Sequence, residues 1–496
     1  MKSMDEFADT AMQKMSLKDR RSITSPENGR AGGRKHIPVD EWARRFVAAR
    51  YSEDLNGKPF STLRIHVRDW YCYAGGYWHK LDRDDLESEL VGFLQKSEFA
   101  ENDRISKSAK EDILMNLKSN EICSLNSVKF RIPCFLPSGK SAAGWMPLEN
   151  CVLNIEQAAL ALESGLPVPT DAVRALSPEL FSTFGLPYSF DEKADCPKFK
   201  KYLFEIQPDE ENRKVLQMLA GLSLVPDCKY NVAFFLYGEG GTGKSVFLNT
   251  LAALVGRENT CVVPLAKLAD RFGLAPLTEK LLNVVGDLPV MPESGRISEV
   301  EGIFKEITDG ATIRVERKGV EDWCAKATAR MIFATNTMPQ FTDRSNGVWD
   351  RVRIIPFDQR FRNTDRQNPN LSTELLEELP GIFVWALRGL AMLRKEKIFP
   401  ECKAGKMLKD ELRSDCDHER TFLQEHTEAA TGSWCSSDEL FKVYREWMLN
   451  NGYRAVGAAN FKKAVKRLYP DSFDDNRRVD GQRMRRYWNF RMKPDF

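Results

Sequence analysis

The residues best placed to do chemistry are Gly238-Glu239-Gly240-Gly241-Thr242-Gly243-Lys244-Ser245. They follow the apolar run Val232–Tyr237 and lead into a helical pattern carrying Val246, Phe247, Leu248 and Leu251. The spacing G-x-x-x-x-G-K-[ST] between a strand and a helix is that of a phosphate-binding loop. Its glycines let backbone N–H groups turn toward phosphate oxygens, and the new helix offers its positive end to the same anion. Lys244 is placed to reach the β- and γ-phosphates, and the Ser245 hydroxyl to ligate Mg²⁺. Residues 238–246 are therefore the expected contacts for ATP.

Hydrolysis also needs an acid near the metal and the attacking water. Leu281-Leu282-Asn283-Val284-Val285-Gly286-Asp287 supplies one at the end of an apolar strand, 43 residues after Lys244. Asp287 is the candidate metal ligand or general base, with Glu293 close enough in sequence to share the work. The next apolar strand, from Arg330 to Thr335, ends at Asn336, a candidate for sensing the γ-phosphate or orienting water. Arg351 stands just before the apolar strand Val352–Phe357. An arginine so placed can complete a neighbouring subunit's site, an effect worth roughly 10³–10⁵ in rate. The plainer reading of Arg351 and Arg353 is a surface ion pair.

The elements that must position these groups form a multidomain α/β chain. A length of 496 residues exceeds a single core, and 42% hydrophobic with 29% charged residues is ordinary for a globular protein. The first residues lack an apolar signal core, and no run is long enough to span a membrane. Eleven scattered cysteines without a C-x-x-C pair point to a reducing cytoplasm. Residues 1–36 read as a basic, disordered tail and 37–190 as an α/β domain. Within it Ile65–Tyr73 and Gly76–Leu81 pattern as an aromatic hairpin, and Asp82-Arg83-Asp84 as a helix cap rather than a polymerase metal pair. Residues 191–230 form a helical collar and 231–365 the ATPase core, with strands and helices alternating as in a covered parallel sheet. Helices over Leu371–Arg394, interrupted at Pro380-Gly381, and Lys403–His426 fill 366–430. A basic domain occupies 431–496.

Together, the glycine loop, NVVGDLP, FKEITDGATIRVERK, MIFATNTMPQFTDRS and VWDRVRIIPF resemble superfamily 3 helicases. The phage and plasmid primase–helicase branch, related to poxvirus and satellite-phage replication enzymes, is the nearest match. The resemblance covers roughly residues 144–496. It implies an AAA+-type ring motor, usually hexameric, translocating 3′→5′ on single-stranded DNA. It carries Lys244 and Ser245 onto the Walker A pair, Asp287 onto the Walker B acid, Asn336 onto the sensor and Arg351 onto the trans-acting finger. Two features depart from the pattern. Asp287 stands alone where the family often has Glu or paired acids, and no primase metal pair precedes the core. Priming is then expected from another polypeptide.

DNA contacts are expected in two places. Thr312–Trp323 alternates on both sides of Lys318-Gly319, which predicts a hairpin with Arg317 and Lys318 at its tip; in the family this hairpin faces the ring channel. Residues 454–496 carry twelve Lys or Arg against five Asp and no Glu, a net of +7 in a chain whose total is only +2. Helices over 437–450 and 458–468, followed by a strand-like pair around 477–491, read as a winged helix. Lys462, Lys463 and Lys466 would neutralise phosphates, and Arg483, Arg485 and Arg486 would lie in the wing. The rival readings are an origin-binding initiator or loader that uses ATP as an assembly switch and, further off, a primase.

Overall fold

The computed structural model describes residues 37–99, 105–119, 122–125, 132–288, 296–318, 320–339, 341, 346–365, 368–416, 418–451, 455–479 and 482–493. The expected 1–36 tail, Glu293 and the hairpin-tip Gly319 lie outside them.

At the centre is a five-stranded sheet in the order 260–261, 282–285, 330–335, 233–237, 352–356, parallel throughout. Its strands are nearly continuous apolar runs because a parallel sheet is buried on both faces. Side chains alternate between two cores. Phe234, Leu236, Ile332, Ala334 and Ile355 face a layer made by helices Pro197–Ile206, Glu210–Leu222, Lys244–Leu254 and Leu379–Arg394. Phe235, Val285, Phe333, Val352 and Ile354 face the opposite side, covered by helix Ile297–Thr308, Ile313 and Val315 of a hairpin, and Leu408 and Leu412.

The first layer joins elements from both ends of the core. Helix Glu210–Leu222 crosses helix Leu379–Arg394 at close range because both present glycine at the crossing. A Cβ on Gly221 would lie 2.4 Å from the Ala386 carbonyl oxygen and the Leu390 nitrogen; one on Gly389 would lie 2.1 Å from the Gln217 carbonyl oxygen. The Gln217 amide also donates to the Trp385 carbonyl at 2.8 Å. Below this crossing, Arg394 binds both Glu156 (2.6 Å) and Asp227 (2.5 Å). That contact ties the segment preceding the collar to the helix that follows the sheet.

The N-terminal unit packs helices Val39–Arg50, Arg83–Gln95 and Lys107–Ser119 over a sheet in the order 77–81, 69–74, 63–66, 124–125. Trp42, Phe46, Leu90 and Leu114 are in its core. The strand expected over Ile65–Tyr73 is two strands, Leu63–His66 and Asp69–Ala74, because Val67 turns the chain at φ 58°. Asp82 accepts the Asp84 amide at 2.8 Å and caps the helix that follows, so this acid serves the backbone.

Beyond the core, Pro380 lies in the first turn of its helix, where its missing N–H costs nothing, so the interruption separates Leu371–Leu376 from Leu379–Arg394. The single helix expected over Lys403–His426 is two, Lys403–Cys416 and His418–His426. The second belongs with the C-terminal unit: Phe422 and Leu423 share a core with Leu440, Tyr444, Phe461, Val465, Tyr487 and Phe490. Between helices lies the strand Thr427–Ser436, absent from the sequence reading because TEAATGSWCS is mostly small and polar. It pairs with Gln482–Met492, which pairs in turn with Asp474–Val479. Among the described residues no helix is long and apolar enough to cross a membrane.

Gly221→Ala forces a methyl group into fixed backbone, so it should destabilise the core by about 1–3 kcal/mol. Gly92→Ala, with nothing within 4 Å of its Cβ, should be neutral or stabilising by under about 1 kcal/mol. Thermal melts of the two variants followed by far-UV circular dichroism compare them directly.

Candidate functional site at the carboxyl edge of the sheet

The central strand Ala233–Tyr237 lies between strands 330–335 and 352–356, and the glycine loop leaves its C-terminal end. The Gly238 amide donates to Thr335 (3.2 Å), and Phe357 donates back to Tyr237 (2.7 Å). Two segments outside the motif then clamp the loop. From the collar, the Tyr202 hydroxyl donates to the Gly243 carbonyl at 2.9 Å, and Ile206 fills the space a Cβ on Gly243 would need. From beyond the sheet, Phe361 donates its amide to the Gly241 carbonyl at 2.9 Å, and Arg362 lies 2.4 Å from where a Gly241 Cβ would stand. With φ of 85° at Gly241 and 92° at Gly243, both positions need glycine for conformation and for space.

Lys244 opens the helix and is buried. Its ammonium curls back to the carbonyls of Gly238 (2.5 Å) and Glu239 (2.7 Å), with Thr242 Oγ1 at 3.4 Å. Burial lowers its pKa, and the negative charge of Asp287 works against that shift, which puts Lys244 and Asp287 within electrostatic reach. Glu239, Gly240 and Ser245 are exposed, Thr242 is buried with its hydroxyl on the Glu239 carbonyl (3.0 Å), and Val246 is half-buried against the core.

Asp287 is exposed just past strand Leu282–Val285, and the Leu288 amide extends the pairing onto Ala334 at 3.0 Å. Asn336, also exposed, leaves the end of Arg330–Thr335. The loop, Asp287 and Asn336 therefore leave the carboxyl ends of neighbouring parallel strands, where open α/β sheets bind ligands. Among the described residues no group of three or more His, Cys, Asp or Glu side chains is gathered as a metal site.

Arg351 stands elsewhere. It precedes strand Val352–Pro356, and its carbonyl accepts the Ala233 amide at the start of the central strand. That puts it at the opposite edge from its own chain's loop, roughly 15 Å away at the rise of a β-strand. Its guanidinium makes a bidentate pair with Asp309, at 2.7 and 2.6 Å from Nη2 and 2.9 Å from Nε, and donates to the Gly347 carbonyl. Sequence spacing gave no sign of Asp309 as partner. Arg353 donates to the Asp350 carbonyl (2.7 Å), and burial lowers its pKa.

The hairpin forms as expected from Thr312–Arg317 and Val320–Lys326, with an irregular register between Val315 and Arg317. Arg317 and Lys318 are exposed at its tip. Arg317 lies 3.5 Å from Asp69 of the N-terminal sheet, a contact with no sequence signal.

In the C-terminal unit the three lysines separate. Lys463 and Lys466 are exposed on helix Ala458–Leu468, whereas Lys462 is bound to Asp474 at 2.7 Å. Arg485 shares that carboxylate (2.5 Å), and Arg486 is buried and pairs with Asp475 (3.2 Å). Lys462, expected to neutralise phosphates, and Arg485 and Arg486, expected in the wing, are thus each paired with a carboxylate of the same unit.

A family described as "Family of unknown function (DUF5906)" matches residues 236–351, from the glycine loop to Arg351. "Putative helicase 121R" of Invertebrate iridescent virus 3 is 22% identical over 182 residues, covering 34% of this chain and 19% of its own length. "Putative helicase L207/L206" of Acanthamoeba polyphaga mimivirus is 22% identical over 433 residues, 77% of this chain and 43% of its own. The chain thus spans less than half of either relative. Solved apo structures of the NrS-1 C-terminal region share the fold at 13% identity: one covers 86% of this chain and 95% of its own with a TM-score of 0.51, another 91% and 99% with 0.52.

Lys462 and Arg485 hold the Asp474 carboxyl down at about 2, from an ordinary 3.8. A depressed acid contributes stability that is complete above its unfolded pKa and is lost as pH falls through the folded one. Acid titration of the full chain by near-UV circular dichroism should show C-terminal packing weakening between about pH 4 and 2. Asp474→Asn should remove that step and lower stability at neutral pH.

Proposed function

We propose that the chain is an ATP-dependent DNA helicase of the superfamily 3 type, acting in replication of a phage or mobile element as a head-to-tail ring. The observation that carries this reading is Lys244: a buried ammonium whose described partners are two neutral carbonyls and a hydroxyl at the rim of its own loop. A desolvated cation so weakly matched suits an anionic ligand, and neighbouring loop amides and a helix N-terminus suit a phosphate. The two viral relatives whose names carry the word helicase support it.

In this reading Lys244 binds the β- and γ-phosphates and the loop amides fix their position. Asp287 accepts the proton of the attacking water or orients it, and Asn336 holds that water in line. Ser245 and Asp287 are the residues that would hold Mg²⁺, which supplies charge neutralisation on the phosphates. Arg351, at the far edge of the sheet, is too distant for its own loop and suits the nucleotide of the next subunit in a closed ring, provided it leaves Asp309. Arg317 and Lys318 would grip single-stranded DNA in the channel, and Lys463 and Lys466 would hold duplex phosphates at a fork. A separate primase would supply primers.

Lys244→Ala should abolish ATP turnover and strand displacement on forked DNA carrying a 3′ tail. Turnover without displacement by the wild type would favour an origin-binding initiator or loader instead. Arg351→Ala should cut hydrolysis about 10³-fold or more while nucleotide affinity stays within about threefold. Loss of nucleotide binding in that variant would remove Arg351 from the trans role.

A further inference from the structure

We propose that the open face of the C-terminal sheet is a stacking platform for the bases of single-stranded nucleic acid. Helices cover the other face, where Cys435, Tyr487 and Phe490 join the core. On the open face Trp434 pairs across strands with Trp488, and Arg486, two residues before Trp488, lies on the same side. The Arg486 guanidinium sits 4.9 Å from the Trp434 ring centroid and 5.0 Å from that of Trp488. Phe473 continues the row, its ring 5.8 Å from Trp488 and parallel to within 9°. Four flat groups, Phe473, Trp488, Arg486 and Trp434, therefore form one ladder.

The ends of the ladder are open: Trp434 is 40% exposed and Phe473 52%. Its middle is fixed, because Arg486 is 9% exposed and locked to Asp475. The Trp488 indole N–H is buried with no acceptor among the described residues.

Rigid aromatic planes interleaved with a cation fit bases better than aliphatic side chains, which gain nothing from parallel rings. The net +7 of residues 454–496 selects for a polyanion. Together these choose single-stranded nucleic acid over an apolar protein surface, since successive bases stack on exposed rings regardless of sequence. The platform lies across the sheet from helix Ala458–Leu468, which bears Lys463 and Lys466. Its occupancy is independent of nucleotide hydrolysis.

The test is fluorescence anisotropy of the full-length chain, without nucleotide, on labelled oligothymidylate and on an abasic oligomer of equal length. Trp434→Ala/Phe473→Ala should weaken oligothymidylate binding about tenfold or more with the salt dependence unchanged, and Trp434→Phe should retain affinity. The wild type should bind the abasic oligomer about tenfold or more weakly than oligothymidylate, a comparison that does not depend on how any variant folds. Lys463→Glu/Lys466→Glu should instead flatten the salt dependence of duplex binding. Equal wild-type affinity for the two oligomers, or an unaffected double variant, would overturn the proposal. Unchanged affinity with a smaller oligomer on gel filtration would assign the face to contact between copies of this chain.

Discussion

A parallel sheet cannot show either face to water, and much of this chain follows from that constraint. Five apolar strands require a layer on each side. The chain meets the need on one face with helices drawn from before the glycine loop and from after the last strand. Those helices approach closely enough only because glycine stands at their crossing, Gly221 on one and Gly389 on the other. The Arg394 contacts to Glu156 and Asp227 hold the same layer at its rim. Burial opposes the charge of Arg394, and the two carboxylates outweigh it. Breaking such a pair on one side costs far more than the pair itself contributes.

The same layer sets the loop. Tyr202 and Ile206 in the collar, and Phe361 and Arg362 beyond the sheet, press on Gly243 and Gly241 from two directions. A loop rich in glycine is entropically costly to order. These outside segments hold it open at the carboxyl edge, with Lys244 turned inward. The loop chemistry is local, while its shape is imposed from about forty residues upstream and over a hundred downstream.

The N-terminal unit rests on the rest of the chain through the aromatic cluster of Tyr71, Trp78 and Phe181, and through charged and polar contacts. Arg317 meets Asp69, Lys80 meets both Asp69 and Glu279, and the Tyr77 hydroxyl donates to Glu258 at 3.0 Å. Arg317 is more than a third exposed, and pairs of this kind contribute little each and weaken with salt. Such a contact adds little to what holds the hairpin against the N-terminal sheet. Arg351 behaves likewise: the bidentate Asp309 pair is strong in geometry but lies near the surface, so another anion can compete for the guanidinium.

The glycine loop, the apolar strands and Asp82 at a helix start were legible from the sequence because their determinants are local: spacing, periodicity and cap chemistry. Lys244, Asp287 and Asn336 could be named because each follows an apolar strand, and a parallel sheet brings strand ends to one edge. The turn at Val67 was hidden because a valine at positive φ gives no local signal, and the strand 427–436 because small polar residues carry little β pattern. Partner choice was not legible at all. Arg351 with Asp309, Lys462 with Asp474, Arg317 with Asp69 and the ladder around Arg486 join residues whose pairing depends on how separate elements pack. Local rules state which charges a segment carries; only the tertiary structure decided which of them were already spent on one another.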